Sequence, residues 1–129
     1  MYSIAKAVDG SRPVVGNDGW EHLATDMITV HDYAGDGATL TERYGSAAAL
    51  RRSLQEVQPF YRPVLLAGLQ LADQPILLTE FGGISYRGGE GFWNGYGTAH
   101  DEDDFVRRYE ICSTRCLPAP SWPASATPS

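Results

Sequence analysis

The chain has few cysteines, few basic residues and no long apolar run, and each shortage argues against a class of protein. Cys112 and Cys116 are the only cysteines among 129 residues. No second Cys or His pair stands at zinc-finger spacing, so we interpret them as incidental thiols rather than a redox pair or half of a metal site. Ten Lys and Arg residues against 16 Asp and Glu, a formal charge of -6, argue against nucleic acid and other polyanionic partners.

No stretch has the length and apolar character of a membrane span, so no membrane partner is predicted. The residues after Met1 lack the basic start and apolar stretch of a secretory signal. We therefore expect a cytoplasmic protein. At 43% hydrophobic and 20% charged residues, the composition is typical of a globular domain.

Three short apolar runs, at residues 13–16, 27–30 and 75–78, each precede a cluster of polar or aromatic side chains. Runs that are apolar on both faces are typical of strands buried in a parallel sheet. Because each cluster follows its strand, the three clusters should lie together at the carboxyl ends of the strands, on a shared rim. This is where α/β barrels carry their active sites. Because a complete (β/α)₈ barrel takes roughly 250 residues, the sequence predicts an α/β fold that forms only part of such a barrel.

Helices are predicted on the outside of this partial barrel. Residues 2–8 resemble the end of a helix, and residues 46–57 place Leu50, Leu54 and Val57 at helical spacing. A third helix begins at the acidic residues 101–104, which oppose the helix dipole favourably. Residues 1–111 would thus form the partial barrel, and the Pro-, Ala- and Ser-rich residues 112–129 would form a disordered tail.

Glu80 is the most informative single residue, because it ends an apolar run directly before a turn made by Gly82 and Gly83. An ionised carboxylate cannot remain inside a buried strand without a partner, so Glu80 should emerge at the rim. It could be catalytic or only a capped structural carboxylate. The aromatic side chains of the following loop favour a carbohydrate site, where flat apolar faces stack on sugar rings; they are Tyr86, Phe92, Trp93 and Tyr96.

Glycoside hydrolysis needs a second carboxyl group. Four acidic residues at or near the predicted strand ends are candidates; they are Asp18, Glu21, Asp26 and Asp32. Asp18 and Asp32 could equally cap turns, which is a common role of Asp after a strand. His31 could donate to a sugar hydroxyl or be structural. His22 and His100 have no metal-ligand spacing with it, so neither a metal nor another cofactor is predicted. Tyr33 could hold Glu80 through its hydroxyl or be a rim aromatic.

Three blocks together resemble the catalytic barrel of glycoside hydrolase family 2, the β-galactosidase and β-glucuronidase family. They are residues 12–21 (RPVVGNDGWE), residues 30–34 (VHDYA) and residues 75–84 (PILLTEFGGI). The resemblance runs from about residue 2 to about residue 110 in the family's order and spacing. It implies that the three strands are the fifth, sixth and seventh of the barrel, and that the substrate is a carbohydrate.

The resemblance also implies roles for individual residues. Glu80 would be the nucleophile of a retaining β-glycosidase, and Tyr33 would match the tyrosine that hydrogen-bonds that nucleophile. Four further residues fall where sugar-contacting residues lie in the family; they are Asn17, Trp20, His31 and Trp93.

Two family features have no counterpart in the sequence. The family's general acid/base is a Glu that follows an Asn at the end of the fourth strand, and no Asn-Glu pair occurs here. The eighth strand should follow the helix near Phe105, where the Cys- and Pro-containing segment lies instead. The expectation is a glycosidase fragment with negligible turnover alone. The alternatives are a non-catalytic carbohydrate-binding piece, an inert remnant of a disrupted gene, or a fragment completed by a separate upstream barrel half.

Overall fold

The computed structural model describes residues 1–69, 71–86 and 95–115, and this part of the chain has a mixed α/β fold, as predicted. The helices are Tyr2–Val8 (α1), Gly37–Tyr44 (α2), Ala47–Gln55 (α3) and Glu102–Arg115 (α4), with a 3₁₀ turn at Pro59–Tyr61. The strands are Ile28–Asp32 (β1), Ile76–Phe81 (β2), Ile84–Tyr86 (β3) and Gly97–Ala99 (β4). Within these ranges, no helix is both long and apolar enough to cross a membrane.

Strands β1 and β2 form a parallel pair that confirms two of the three predicted strands. The register is regular from Ile28 opposite Ile76 to Val30 opposite Leu78, and then shifts so that His31 lies opposite Glu80. The shift leaves Thr79 without a register partner. A bulge of this kind re-aims the side chains that follow it. It brings His31 and Glu80 side by side at the carboxyl edge of the pair.

The core lies between β1 and α3. Ile28, Val30, Leu54 and Val64 are each at most 2% exposed and form one cluster, with Leu50 among the residues packed on it. The apolar face predicted for the helix at residues 46–57 is therefore the face that packs on the sheet. Its start is fixed by the side chain of Ser46, which accepts a hydrogen bond from the N–H of Ala49.

The strand predicted at residues 13–16 is wrong, because the structure has no strand there. The backbone of Val14 bonds instead to a loop residue: its N–H donates to the Asp26 carboxylate at 2.8 Å, and its carbonyl accepts from the Asp26 N–H at 2.9 Å. Asp26 also pairs with Lys6 of α1 at 3.1 Å. An apolar run is thus held here by a carboxylate rather than by a neighbouring strand.

Helix α2 was not predicted, and it positions part of the rim. The helix itself buries only Leu40, so it lacks the helical spacing of several apolar residues by which a sequence reveals a helix. Its start is set by Asp36, whose side chain accepts a hydrogen bond from the N–H of Thr39 at 2.7 Å.

Helix α4 begins near the acidic residues, as predicted. Asp104 in its first turn is 4% exposed and pairs with Arg107 and Arg108. The hydrogen bonds from Arg108 and from the backbone N–H of His100 lower the pKa of Asp104 well below its ordinary range. The helix continues to Arg115 and buries Cys112. Its last residues, 112–115, were predicted to belong to the tail. Residues 116–129 of that segment lie outside the described residues.

Strands β3 and β4 form a second, short parallel pair beside the site. Gly83, with a φ of 58°, lies in the turn before β3, and its carbonyl accepts a hydrogen bond from the N–H of Tyr96 at 2.8 Å. A side chain at Gly83 would come within 2.7 Å of the Tyr96 ring. The two glycines after Glu80 therefore provide a turn and a close approach of an aromatic side chain, both of which need the absence of a Cβ.

Candidate functional site

Glu80 lies in an open cleft at the carboxyl edge of the β1–β2 pair. The hydroxyl of Tyr33, which directly follows β1, donates a short hydrogen bond to Oε2 of Glu80. The Glu80 side chain is 53% exposed, so it is accessible from the cleft. The cleft has a volume of about 490 Å³ and is lined by Tyr33, Thr79, Glu80, Phe81, Gly83 and Tyr96.

Tyr33 is fixed both by this hydrogen bond and by its aromatic neighbour. Its ring stacks on Tyr96 with centroids 4.1 Å apart and an interplanar angle of 20°. Burial, the hydrogen bond to Glu80 and the charge of Glu80 all raise the pKa of Tyr33 far above its ordinary value. The hydroxyl therefore keeps its proton and stays a donor to the carboxylate throughout the physiological pH range.

His31 lies between two carboxylates and is almost fully buried. Its Nδ1 is 3.4 Å from Glu80 Oε2, and its Nε2 is 3.2 Å from Asp18 Oδ2. The side chain is 7% exposed. Both contacts have ion-pair distances but not hydrogen-bond geometry, and neither ring nitrogen has a hydrogen-bond partner among the described residues.

Asp18 is the one predicted second carboxylate that the structure brings to this site. The hydroxyl of Thr79 donates to its Oδ1 at 2.9 Å. Burial acts to raise the pKa of Asp18, but hydrogen bonding with Thr29 and Thr79, together with the nearby His31 ring, outweighs burial and lowers it. Asp18 is therefore a carboxylate at neutral pH.

The loop that carries Asp18 can approach His31 because the next residue is Gly19. Gly19 has a φ of 83°, and a Cβ there would lie 2.4 Å from Cγ of the His31 ring. Its N–H donates to the Thr29 hydroxyl at 2.8 Å. Glycine is thus required both for the left-handed backbone and for the space that the imidazole occupies.

The other three candidate carboxylates have structural partners. Asp32 is fully buried and accepts from Arg43 at 2.6 Å and from the Tyr44 hydroxyl at 2.7 Å. Asp26 bonds to α1 and to the chain at residue 14, as described above, and Glu21 pairs with Arg62 at 3.1 Å. Asp32 also accepts a hydrogen bond from the Ala34 N–H, which is the turn-capping role that the sequence left open for it.

The predicted sugar-contacting residues are only partly brought together. Trp20 packs edge-on against His31, with centroids 4.5 Å apart, whereas Asn17 donates to the Trp20 carbonyl at 2.7 Å and lines a separate groove beside α1. Trp93 lies outside the described residues. His22 is 1% exposed and its Nε2 lies 2.9 Å from the Thr29 carbonyl oxygen, so it is a buried structural histidine.

Two residues of the site were not identified from the sequence as functional. Thr79 occupies the bulge and holds Asp18, and its only signal is its place directly before Glu80. Gly19 makes room for His31, and its signal is the Asp-Gly pair, which is typical of turns with positive φ. Neither signal shows which side chain the turn would contact.

Comparison with protein-family models, with curated proteins and with solved structures finds no match to this chain. The described residues also contain no group of three or more His, Cys, Asp or Glu side chains that could hold a metal ion.

Proposed function

We propose that this chain carries the nucleophile of a retaining β-glycosidase of the glycoside hydrolase family 2 type. The observation that carries the proposal is the hydrogen bond from Tyr33 to Glu80 at the carboxyl edge of two adjacent parallel strands. Both residues come from blocks that resemble that family, and they are 47 positions apart in the sequence. A merely solvated carboxylate needs neither a partly buried tyrosine partner nor a flanking imidazole.

The geometry around Glu80 suits attack by one of its two oxygens. Tyr33 and His31 both approach Oε2, while Oε1 receives no hydrogen bond from the described residues. In the proposed step, Oε1 bonds to the anomeric carbon as the bond from that carbon to the leaving oxygen breaks. The electron pair departs with the leaving group, and a glycosyl ester of Glu80 remains.

The proposed activity of this chain is limited to that first step with a good leaving group. A retaining enzyme places its acid/base about 5 to 5.5 Å from the nucleophile, with a proton available for the leaving oxygen. Of the candidate carboxylates, only Asp18 lies near Glu80, and the imidazole of His31 stands between them. We infer that the acid/base comes from a separate part of the barrel.

A partial barrel in which β1 and β2 correspond to the sixth and seventh strands is part of the same proposal. Supporting it are the parallel pairing of β1 and β2 and the helices α2 and α3 between them in the chain. Two parallel strands alone are only marginally stable, and Leu77 of β2 is 40% exposed. A separately encoded upstream half would cover such positions, and its coexpression should restore turnover if the proposal is correct.

The first step can be tested with a 2,4-dinitrophenyl β-glycoside, whose leaving group needs no proton. We expect a burst of dinitrophenolate that approaches one equivalent per chain, followed by slow turnover, because water attack on the ester lacks its base. The β-galactoside, β-glucoside, β-mannoside and β-glucuronide should each be tried. Glu80→Gln should remove the burst, and Glu102→Gln, an exposed carboxylate on α4, should keep it. A burst that survives Glu80→Gln contradicts the proposal.

Non-catalytic binding of carbohydrate is the second candidate, and the exposed Tyr96 favours it. Tyr96 is 51% exposed and forms one wall of the cleft while stacked on Tyr33, as an aromatic platform for a sugar ring would. Titration with galactose, mannose or glucuronate should then change the tryptophan fluorescence, and Tyr96→Ala should weaken the response. A flat response in the unaltered chain contradicts this function.

A further inference from the structure

We infer that Asp18 is a positioning residue, which acts through His31 to set the orientation and charge environment of Glu80. The inference rests on the proposed function of Glu80. Its basis is the order of contacts across the cleft edge, from the Thr79 hydroxyl to Asp18, from Asp18 to Nε2 of His31, and from Nδ1 of His31 to Glu80.

The ring of His31 is shared between two carboxylates. It is almost fully buried, and each of its two nitrogens faces one carboxylate oxygen at 3.2 or 3.4 Å, without a hydrogen bond to any of the described residues. A nearby carboxylate favours an N–H on the nitrogen that it faces. Asp18 and Glu80 therefore compete for, or share, the protons of the His31 ring. Removing the charge of one carboxylate alters where the ring carries its protons, and so alters the contact of the ring with the other carboxylate.

The His31 ring acts on one oxygen of Glu80. His31 Nδ1 and the Tyr33 hydroxyl approach the same oxygen, Oε2. An N–H on Nδ1, beside the Tyr33 hydroxyl, would favour negative charge on Oε2 and a rotation of the carboxylate that leaves Oε1 free to react. Removing the charge of Asp18 changes the proton distribution on the ring, and with it the interaction of Nδ1 with Oε2.

Asp18 itself is held in place by β2. Its Oδ1 accepts from Thr79, the residue displaced by the bulge between Val30 and His31. The same bulge sets His31 opposite Glu80. The bulge at Thr79 in β2 thus supports Asp18 and also aligns His31 with Glu80, the two residues on which Asp18 acts.

The coupling can be measured without any substrate by recording the ring ¹⁵N signals of His31 at pH 7, assigned with His31→Gln. We expect Asp18→Asn and Glu80→Gln each to shift these signals. Asp73→Asn, a matched change at an exposed carboxylate outside the site, should leave them in place. If Asp18→Asn leaves the His31 signals where they are in the unaltered chain, the inference is overturned.

The consequence for reactivity is measured by the burst of dinitrophenolate as a function of substrate concentration. A positioning role predicts that Asp18→Asn lowers the maximal burst rate about tenfold, as expected for the loss of one charge-assisted contact, with little change in the half-saturating concentration. Thr79→Val, which keeps the charge of Asp18 and removes only its hydrogen bond, should have a smaller effect. In a His31→Gln background, Asp18→Asn should have no further effect on the rate.

The outcomes separate the inference from the proposed function. A burst in the unaltered chain that Asp18→Asn does not slow contradicts the inference alone. A change confined to the half-saturating concentration also contradicts it, because Asp18 would then contact the sugar directly. Absence of any burst from the unaltered chain contradicts the proposed function, and with it a role for Asp18 in the reaction.

Discussion

Breaking the ion pair between Arg43 and the buried Asp32 should destabilise the fold strongly, because one charge would remain without a partner. Asp32 is fully buried and accepts hydrogen bonds from the Arg43 guanidinium, the Tyr44 hydroxyl and the Ala34 N–H. Asp32→Asn conserves the shape of the side chain but leaves the charge of Arg43 without a counter-charge. Removing one partner of a buried pair costs about 3 to 5 kcal/mol.

Because the Arg43 side chain is 24% exposed, water can partly solvate its charge, and we expect a loss near the lower limit, about 3 kcal/mol. That is a large fraction of the roughly 5 to 15 kcal/mol by which domains are stable. Urea unfolding of both proteins, followed by far-UV circular dichroism, measures the change in the free energy of unfolding.

The matched control is Glu42→Gln on α2, the helix that also carries Arg43. Glu42 pairs with Arg52 at 3.8 Å, and the two side chains are 76% and 52% exposed, so the change should cost about 0.5 kcal/mol or less. The double variant of Asp32→Asn with Arg43→Met should lose less stability than the sum of the two single variants, since no unpaired charge remains. A loss for Asp32→Asn no larger than that for Glu42→Gln would refute the reasoning.

Three further predictions follow from single contacts. Gly19→Ala should lose about 1 to 3 kcal/mol more stability than Gly68→Ala, because both have positive φ but only Gly19 abuts the His31 ring; equal losses in urea unfolding would contradict this. Asp104→Asn should destabilise the fold at neutral pH, and its difference from the unaltered chain should shrink as the pH falls below about 4, since a lowered pKa contributes stability only where the unfolded carboxyl is ionised; a gap that is constant with pH in urea unfolding counts against it. Tyr33→Phe should slow the dinitrophenolate burst about tenfold through the lost hydrogen bond to a charged group, and an unchanged rate would exclude that role.

The sequence was sufficient to predict that Glu80, Tyr33 and His31 lie at one rim, because residues at the carboxyl ends of neighbouring parallel strands share one edge. It could not predict the bulge at Thr79, since a single extra residue leaves no pattern in an apolar run. Without that bulge, His31 would lie opposite Thr79 rather than opposite Glu80. The contact that defines the site therefore depends on a detail of register.

The fates of the acidic residues were also beyond a reading of the sequence. Asp18 and Asp32 both follow apolar runs, and their local sequences are equally compatible with a turn or a site. The two residues differ in their contacts with distant parts of the chain. Asp32 pairs with Arg43 of α2, a helix with too few apolar residues to be recognised from the sequence, whereas Asp18 accepts a hydrogen bond from Thr79. Residues distant in the sequence decide which carboxylate stays near the cleft.

We propose that Glu80 forms a covalent bond to a sugar, and the most direct measurement locates that bond. The chain is incubated with 2,4-dinitrophenyl 2-deoxy-2-fluoro-β-glycosides, digested with pepsin, and its peptides are sequenced by tandem mass spectrometry. We expect a single glycosyl adduct on Glu80, absent from Glu80→Gln. An adduct on Asp18 or another carboxylate, or no adduct with any of the sugars tried, would contradict it.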